Sequence, residues 1–305
     1  MSTQLNFKVS EKASQGLFIR NAPLVENNTK IALLPMGQPV TKRSVSDVKP
    51  WWEVSTTLQG TTLDGFVNSD FLVPEASFVP PVEHSSLSPV HLRTHNKVTR
   101  NGTARAFPLN EAGQPSRDPM SSTADKVAAL GKIIDWLDVE HKTRYKPTGT
   151  STFCNVYSYD YCFLAGVYIP RVWWKPTALA NIIAGIPQSP IYGETVEERT
   201  ANRIFSWLKD FGPDFGWRRT FDLTELQNAA NDGQVGIICA QRVDLHRPGH
   251  ICPVVPETST KKAVRSGSAV TKPLQTNAGG TNFKYIARIW WTTNQFREFG
   301  FWIHA

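Results

Sequence analysis

Two residues of this chain have the setting of a nucleophile and its base. Cys154 closes a polar loop rich in Gly, Thr and Pro that begins at Tyr145, and the segment after it has neither Pro nor Gly before Gly166. Val156, Tyr157, Tyr161 and Leu164 fit one helix face, so Cys154 is expected at a helix N-terminus. The unpaired N–H groups and dipole there would favour a thiolate, and the same N–H groups could receive an oxyanion after attack on a carbonyl. His250 follows Arg247-Pro248-Gly249 and opens the apolar run to Val255, which places its imidazole at the mouth of a strand.

An imidazole acting as base needs a polar neighbour to fix its tautomer. Gln275 is the preferred partner, with Asn277 and Glu257 as alternatives. Asn155 and Asn277 are candidates for substrate or oxyanion contact, and Trp173 and Trp174 for the walls of the cleft; core packing suits the two tryptophans equally well, and Asn155 suits a helix start. Cys162, within the helix, reads as core, and Cys239 and Cys252 as buried thiols. His246 and His250, with Asp244, would make a metal set only on a helix, which Pro248-Gly249 forbids. No CxxC pair is present. The expectation is therefore no metal and no cofactor.

The elements that must position these residues divide into two blocks. Residues 5–74 read as short strands with turn signals between them, a small all-β barrel. Residues 75–120 are rich in Pro, Ser and Asn and read as a linker or a long ordered wrap, with His84, His91 and His95 on the surface. Residues 121–305 read as helices first and strands second, an α+β domain. Its first helix is capped near Ser121-Ser122-Thr123, a second starts from a capping box at 195–198, and a third runs from Asp222 or Thr224 to Gly233. Strands are expected at 235–240, 250–255, 283–291 and 299–303.

Composition narrows the function classes. Of the 305 residues, 40% are hydrophobic and 19% charged, the balance of a folded protein. The net charge is +7, yet no Lys/Arg block of the kind that tracks nucleic acid occurs, so no nucleic-acid partner is expected. No run of about 18 apolar residues exists, so no membrane span is expected. The opening MSTQLNFKVS has no apolar signal segment. Nothing in the sequence speaks to oligomeric state.

Two stretches carry a resemblance. Leu17 to Pro23, Gly37 to Val40, Trp51 to Val54 and Gly65 to Leu72 follow the order of landmarks of a bacterial SH3-like domain, with Phe66 where that family has Trp and a longer loop from Thr41 to Pro50. Residues 126–305 are similar to the CHAP and NlpC-type cysteine peptidoglycan hydrolases. The matching residues are Arg144-Tyr145, Thr152, Cys154-Asn155, Ile169-Pro170, Thr200-Ala201-Asn202, Trp207-Leu208, Gly216-Trp217-Arg218, Gly249-His250-Ile251 and Gln275. Asn277-Ala278-Gly279 departs from the expected Gln-Ala-Gly. The resemblance implies a papain-like domain with Cys154 as nucleophile, His250 as base and an orienting residue near Gln275. It also implies an SH3-like barrel that targets peptidoglycan, and action at the bacterial cell wall, in the periplasm or outside the cell. Two alternatives share parts of this pattern: a papain-like transferase or deamidase acting on proteins, and a non-catalytic SH3-barrel adhesion or interaction protein.

Overall fold

A computed structural model describes residues 6–13, 16–58, 60–78, 87–149 and 151–305, and divides the chain into two compact units, Met1–Glu83 and His84–Ala305. His84 lies outside the described residues.

The first unit is an antiparallel sheet of seven strands. They are β1 (Asn6–Val9), β2 (Leu17–Arg20), β3 (Lys30–Leu34), β4 (Pro39–Val45), β5 (Trp51–Leu58), β6 (Thr61–Asn68) and β7 (Leu72–Pro74), in the order β3-β2-β6-β5-β4-β1-β7. Alternation along the strands sends Val9, Ile19, Leu34, Val40, Val54 and Val67 into one apolar core. Gly65 lets β6 approach β2, because a Cβ there would stand 2.5 Å from the Arg20 carbonyl oxygen. The tryptophan doublet of β5 is split by the pleat. Trp51 is buried, while Trp52 is half-buried, edge-on to Phe7 and under the Lys42 ammonium at 4.0 Å. Two strands, β1 and β7, were not evident in the sequence pattern, and the expected loop after Thr41 is shortened because β4 continues to Val45.

The second unit is mixed α and β. Its helices are α1 (Thr123–Leu137), α2 (Cys154–Leu164), α3 (Pro176–Ile183), α4 (Ala201–Asp210) and α5 (Leu223–Asn231). The strands β8 (Val172–Trp174) and β9 (Val196–Glu198) form a ribbon. The main sheet is antiparallel and six-stranded, in the order β10-β17-β11-β12-β15-β16. It is built from β10 (Arg218–Thr220), β11 (Val235–Arg242), β12 (His250–Val254), β15 (Leu274–Asn277), β16 (Phe283–Ala287) and β17 (Phe296–His304), with β13 (Val264–Ser266) and β14 (Ala269–Lys272) as a separate hairpin. One face of the sheet carries α2, with α1 and α4 beside it, over Val235, Ile237, Cys239 and Ile251; the other carries α5 over Ile238, Ala240, Cys252 and Val254. No described helix is long and apolar enough to cross a membrane.

Ser122 caps α1 as its hydroxyl accepts from the Asp125 N–H at 3.2 Å, and Asp222 caps α5 on the Thr224 N–H at 2.7 Å. The expected capping box at 195–198 is instead strand β9: Val196 pairs with Trp174, while Glu197 and Glu198 reach Arg203 and Arg171. The cap of α4 is Thr200. The stretch 75–120 also differs from a linker over its described part. Val90, Leu92, Val98 and Leu109 are buried in the core around α2, and His91, expected on the surface, takes a 2.9 Å hydrogen bond with the Tyr159 hydroxyl. From residue 87 onward this segment is an ordered wrap on the second unit. Trp290 and Trp291 lie in the loop after β16 rather than in a strand.

Candidate active site

Helix α2 is buried almost all round, and most of its polar side chains are partnered, the Tyr161 hydroxyl excepted. Asp160 receives two bonds from the Arg144 guanidinium, at 2.6 and 3.0 Å, and one from the Tyr145 hydroxyl at 3.0 Å. The Tyr157 hydroxyl meets the Thr276 hydroxyl at 2.7 Å, which ties the helix to β15. These contacts fix the axial position of α2 and hence of its first residue, Cys154.

Phe153, at the N-cap, supplies no side-chain acceptor, so the first N–H groups of α2 are left to other partners. The Cys154 sulfur is one such partner: the N–H groups of Cys154 and Asn155, and that of Ile251 on β12, all draw its pKa down, as does the charge of Arg171. Burial acts against them and is larger, since Cys154 is 3% exposed, and the thiol is raised on balance. The sequence pointed to a stabilised thiolate; complete desolvation reverses that sign in the resting protein. All four cysteines are free and buried, and burial raises Cys162, Cys239 and Cys252 as well.

His250 is the first residue of β12, next to the Ile251 N–H that faces the Cys154 sulfur. The chain reaches it through a tight approach at Gly249, where a Cβ would lie 2.4 Å from Asn202 Oδ1 and 2.6 Å from the Ala240 carbonyl oxygen. Asn202, in the first turn of α4, pins this approach. Its Nδ2 donates to the carbonyls of Leu245 and Arg247, and its Oδ1 accepts from the Arg242 N–H. Asn202 went unassigned in the sequence beyond its place in the resemblance. Its signal was an amide just inside a helix whose remaining inward positions are apolar.

The partner of His250 is Asn277, not Gln275. Asn277 Oδ1 lies 2.6 Å from His250 Nε2, and Asn277 Nδ2 donates to the Thr281 carbonyl at 3.0 Å. The second bond settles the amide's orientation, so Oδ1 faces the ring and Nε2 must carry the proton. Nδ1 is therefore the basic nitrogen. Burial pushes His250 down to about 4; the Asn277 bond opposes this and the charges of Arg288 and Arg242 add to it. The ring also packs edge-on against Trp290 at 4.5 Å.

Gln275 acts one step further along the same strand. Its Oε1 accepts from Trp290 Nε1 at 2.8 Å and from Cys252 Sγ at 3.2 Å, while its Nε2 donates to the carbonyls of Pro273 and Arg288. It thus holds Trp290 against His250 without touching the imidazole. Glu257 is engaged elsewhere, accepting from Arg265, Asn231 and the Ala263 N–H, which hold its carboxyl down to about 2.

The remaining expected contacts are redistributed. Asn155 Nδ2 donates to the Arg199 carbonyl at 2.8 Å, which makes the side chain a brace between α2 and the entry to α4 rather than an oxyanion donor. Trp173 is core, 1% exposed among Tyr168, Trp207, Phe211 and Phe215. Trp174 reaches the edge of a groove with Val90, Leu92, Ile182 and Pro187. A second cleft, of about 490 Å³, opens beside the start of α2 and is lined by Thr152, Phe153, Asn155, Arg105 and Arg171 among others. Among the described residues, no group of three or more His, Cys, Asp or Glu side chains is placed to hold a metal.

No protein-family model, no curated protein and no solved structure matches this chain.

Proposed function

We propose that the second unit is a papain-like cysteine hydrolase that cleaves an amide bond of a peptidoglycan stem peptide, with Cys154 as nucleophile, His250 as base and Asn277 as the orienting amide. The observation that carries this reading is the fixed Asn277–His250 pair at the mouth of β12, beside the strand N–H that faces the Cys154 sulfur. Substrate class and targeting rest on resemblance: residues 126–305 to cell-wall cysteine hydrolases, and residues 17–72 to a bacterial SH3-like domain that would bring the enzyme to the wall.

In this mechanism both groups are neutral at rest. Nδ1 of His250 takes the thiol proton as the sulfur bonds to the carbonyl carbon, and the carbonyl oxygen becomes an oxyanion. The N–H groups at the start of α2 stabilise that oxyanion. The imidazolium then gives its proton to the amine nitrogen as the C–N bond breaks. Water, deprotonated by Nδ1, attacks the thioester; the C–S bond breaks, releasing a carboxylic acid and restoring the thiol. Asn277 keeps the proton on Nε2 and steadies the imidazolium between these steps.

The test is digestion of purified peptidoglycan, with released fragments identified by mass spectrometry. Cys154→Ala is expected to abolish release, and Asn277→Ala to slow it by about 100-fold, within the range that misplacing a catalytic group costs. Gln275→Ala should act more weakly, through Trp290. Equal release from wild type and Cys154→Ala would eliminate the nucleophile. No release by wild type, with Cys154 nevertheless reactive towards alkylating agents, would favour the transferase or deamidase reading.

A further inference from the structure

The cleft beside α2 holds a cation that, among the described residues, has no ion-pair partner. Its lining includes two guanidinium groups, Arg105 and Arg171, and one carboxylate, Glu198. Glu198 is fully engaged: one oxygen takes the Arg171 guanidinium and the other accepts from the Tyr192 hydroxyl at 2.8 Å. Arg171, 4% exposed, also donates to the carbonyls of Arg105 and Arg199, so its charge is neutralised in place. Among the described residues no carboxylate comes within ion-pair range of Arg105.

Arg105 is also held rigidly. Its Nε donates to the Arg144 carbonyl at 3.0 Å and one terminal nitrogen to the Thr143 carbonyl at 3.2 Å. Its guanidinium carbon lies 3.6 Å from the ring centre of Phe153, the residue before the proposed nucleophile. A guanidinium anchored by Nε and one end, stacked on an aromatic face, has lost little freedom yet to be paid on binding an anion. The hydroxyl residues Ser151 and Thr152 line the same cleft.

We propose that this cleft is the subsite for a carboxylate that the substrate carries next to the amide attacked by Cys154, and that Arg105 is its specificity-determining ligand. The proposal rests on the reading of Cys154 as nucleophile and adds that the substrate is an acidic peptide.

Two alkylating probes of nearly equal size test it, iodoacetate and iodoacetamide. Each bonds its methylene carbon to the Cys154 sulfur while iodide leaves with the C–I electron pair, and the two differ only in carrying a carboxylate or a carboxamide beside that carbon. Peptide mapping assigns labelling to Cys154 among the four cysteines. At about pH 8, His250 is neutral and adds no charge of its own. The ratio of iodoacetate to iodoacetamide rates at Cys154 should be about tenfold higher in the folded chain than in the urea-unfolded chain, the worth of one charge-assisted hydrogen bond. Arg105→Gln should erase that excess with little change in the iodoacetamide rate, and Arg105→Lys should keep most of it. A folded-state ratio no higher than the unfolded one overturns the anion subsite, a result read on wild type alone even where Arg105→Gln fails to fold. An unchanged ratio in a folded Arg105→Gln overturns the assignment to Arg105. Failure of both reagents to label Cys154 in the folded chain overturns the nucleophile itself, and so separates that reading from the subsite.

Discussion

The two units bury different kinds of residue. All seven histidines and all four cysteines of the chain lie in His84–Ala305, and none lies in Met1–Glu83. The first unit closes on a largely aliphatic core, most of whose buried residues lie on strands and follow from their alternation. The second buries Arg144, Asp160, Arg171, Asn202, Gln275 and Asn277 as well as its apolar core. Buried polar groups are costly unless every lone pair and proton is matched, and an apolar replacement for a buried ion pair is often as stable. Asp160 lies on α2, the helix that Cys154 opens, and Gln275 and Asn277 lie on β15, which pairs with the His250 strand β12; Asn202 lies on α4, and Arg144 and Arg171 lie in the segments before α2 and β8. The first unit buries fewer such groups: among its described residues one charged side chain, Arg20, is buried, donating to the Thr29 hydroxyl and the Glu26 carbonyl.

Removing one buried charge should separate the two units most strongly. Asp160→Ala leaves the Arg144 guanidinium buried without its carboxylate, and should cost the second unit about 3–5 kcal/mol. Calorimetry that resolves two transitions should show the second unit's falling and the first unit's unmoved. The reciprocal change is Leu34→Ala, which opens a cavity in the first unit at a fully buried position for about 3 kcal/mol. It should lower the first unit's transition and leave alkylation of Cys154 by iodoacetamide unchanged. A shift of both transitions in either variant would mean that the units do not unfold separately.

What could be read from the sequence follows the same division. The positions of Cys154 at a helix start and His250 at a strand mouth were legible because each sits where a loop meets a regular element, and the residues on either side mark that junction. The side chain that meets the imidazole was not legible, because it depends on strand register. Val254 pairs with Gln275, and each amide reaches one diagonal step across the ladder, Gln275 to Cys252 and Asn277 to His250. Two residues of offset decide which amide meets the imidazole, and register across 20 intervening residues (Val255 to Leu274) is set by tertiary packing. The segment 195–198 misled for a related reason. Its Thr-x-x-Glu spacing fits a capping box, but Val196 is held by pairing with Trp174, so strand β9 overrides the local signal. Helix α3 went unseen because its Pro176 at the first turn reads as a breaker, although Pro is well tolerated there. The wrap at 87–120 has no periodicity to read. Its Val90, Leu92, Val98 and Leu109 are buried singly, by contact with the helices they cross.

Acid should separate the two units without any mutation. His250 titrates near 4 in the folded chain against about 6.5 unfolded, because burial disfavours its charged form. Between those values the unfolded chain binds the extra proton, so stability rises with pH across the window and is lost as pH falls from 6.5 towards 4. The loss assigned to His250 is at most about 3 kcal/mol, and His91, lowered by burial against Tyr159, adds in the same direction. The first unit has no histidine, so its stability should stay level from about pH 6.5 to 5, above the range of ordinary carboxylates. Denaturant unfolding followed separately for the two units at steps through this window measures the difference. His250→Gln should reduce the slope of the second unit to the part that His91 contributes, while leaving the first unit's curve as it was. If the second unit also held its stability down to pH 5, the imidazole would be solvated rather than clasped between Asn277 and Trp290.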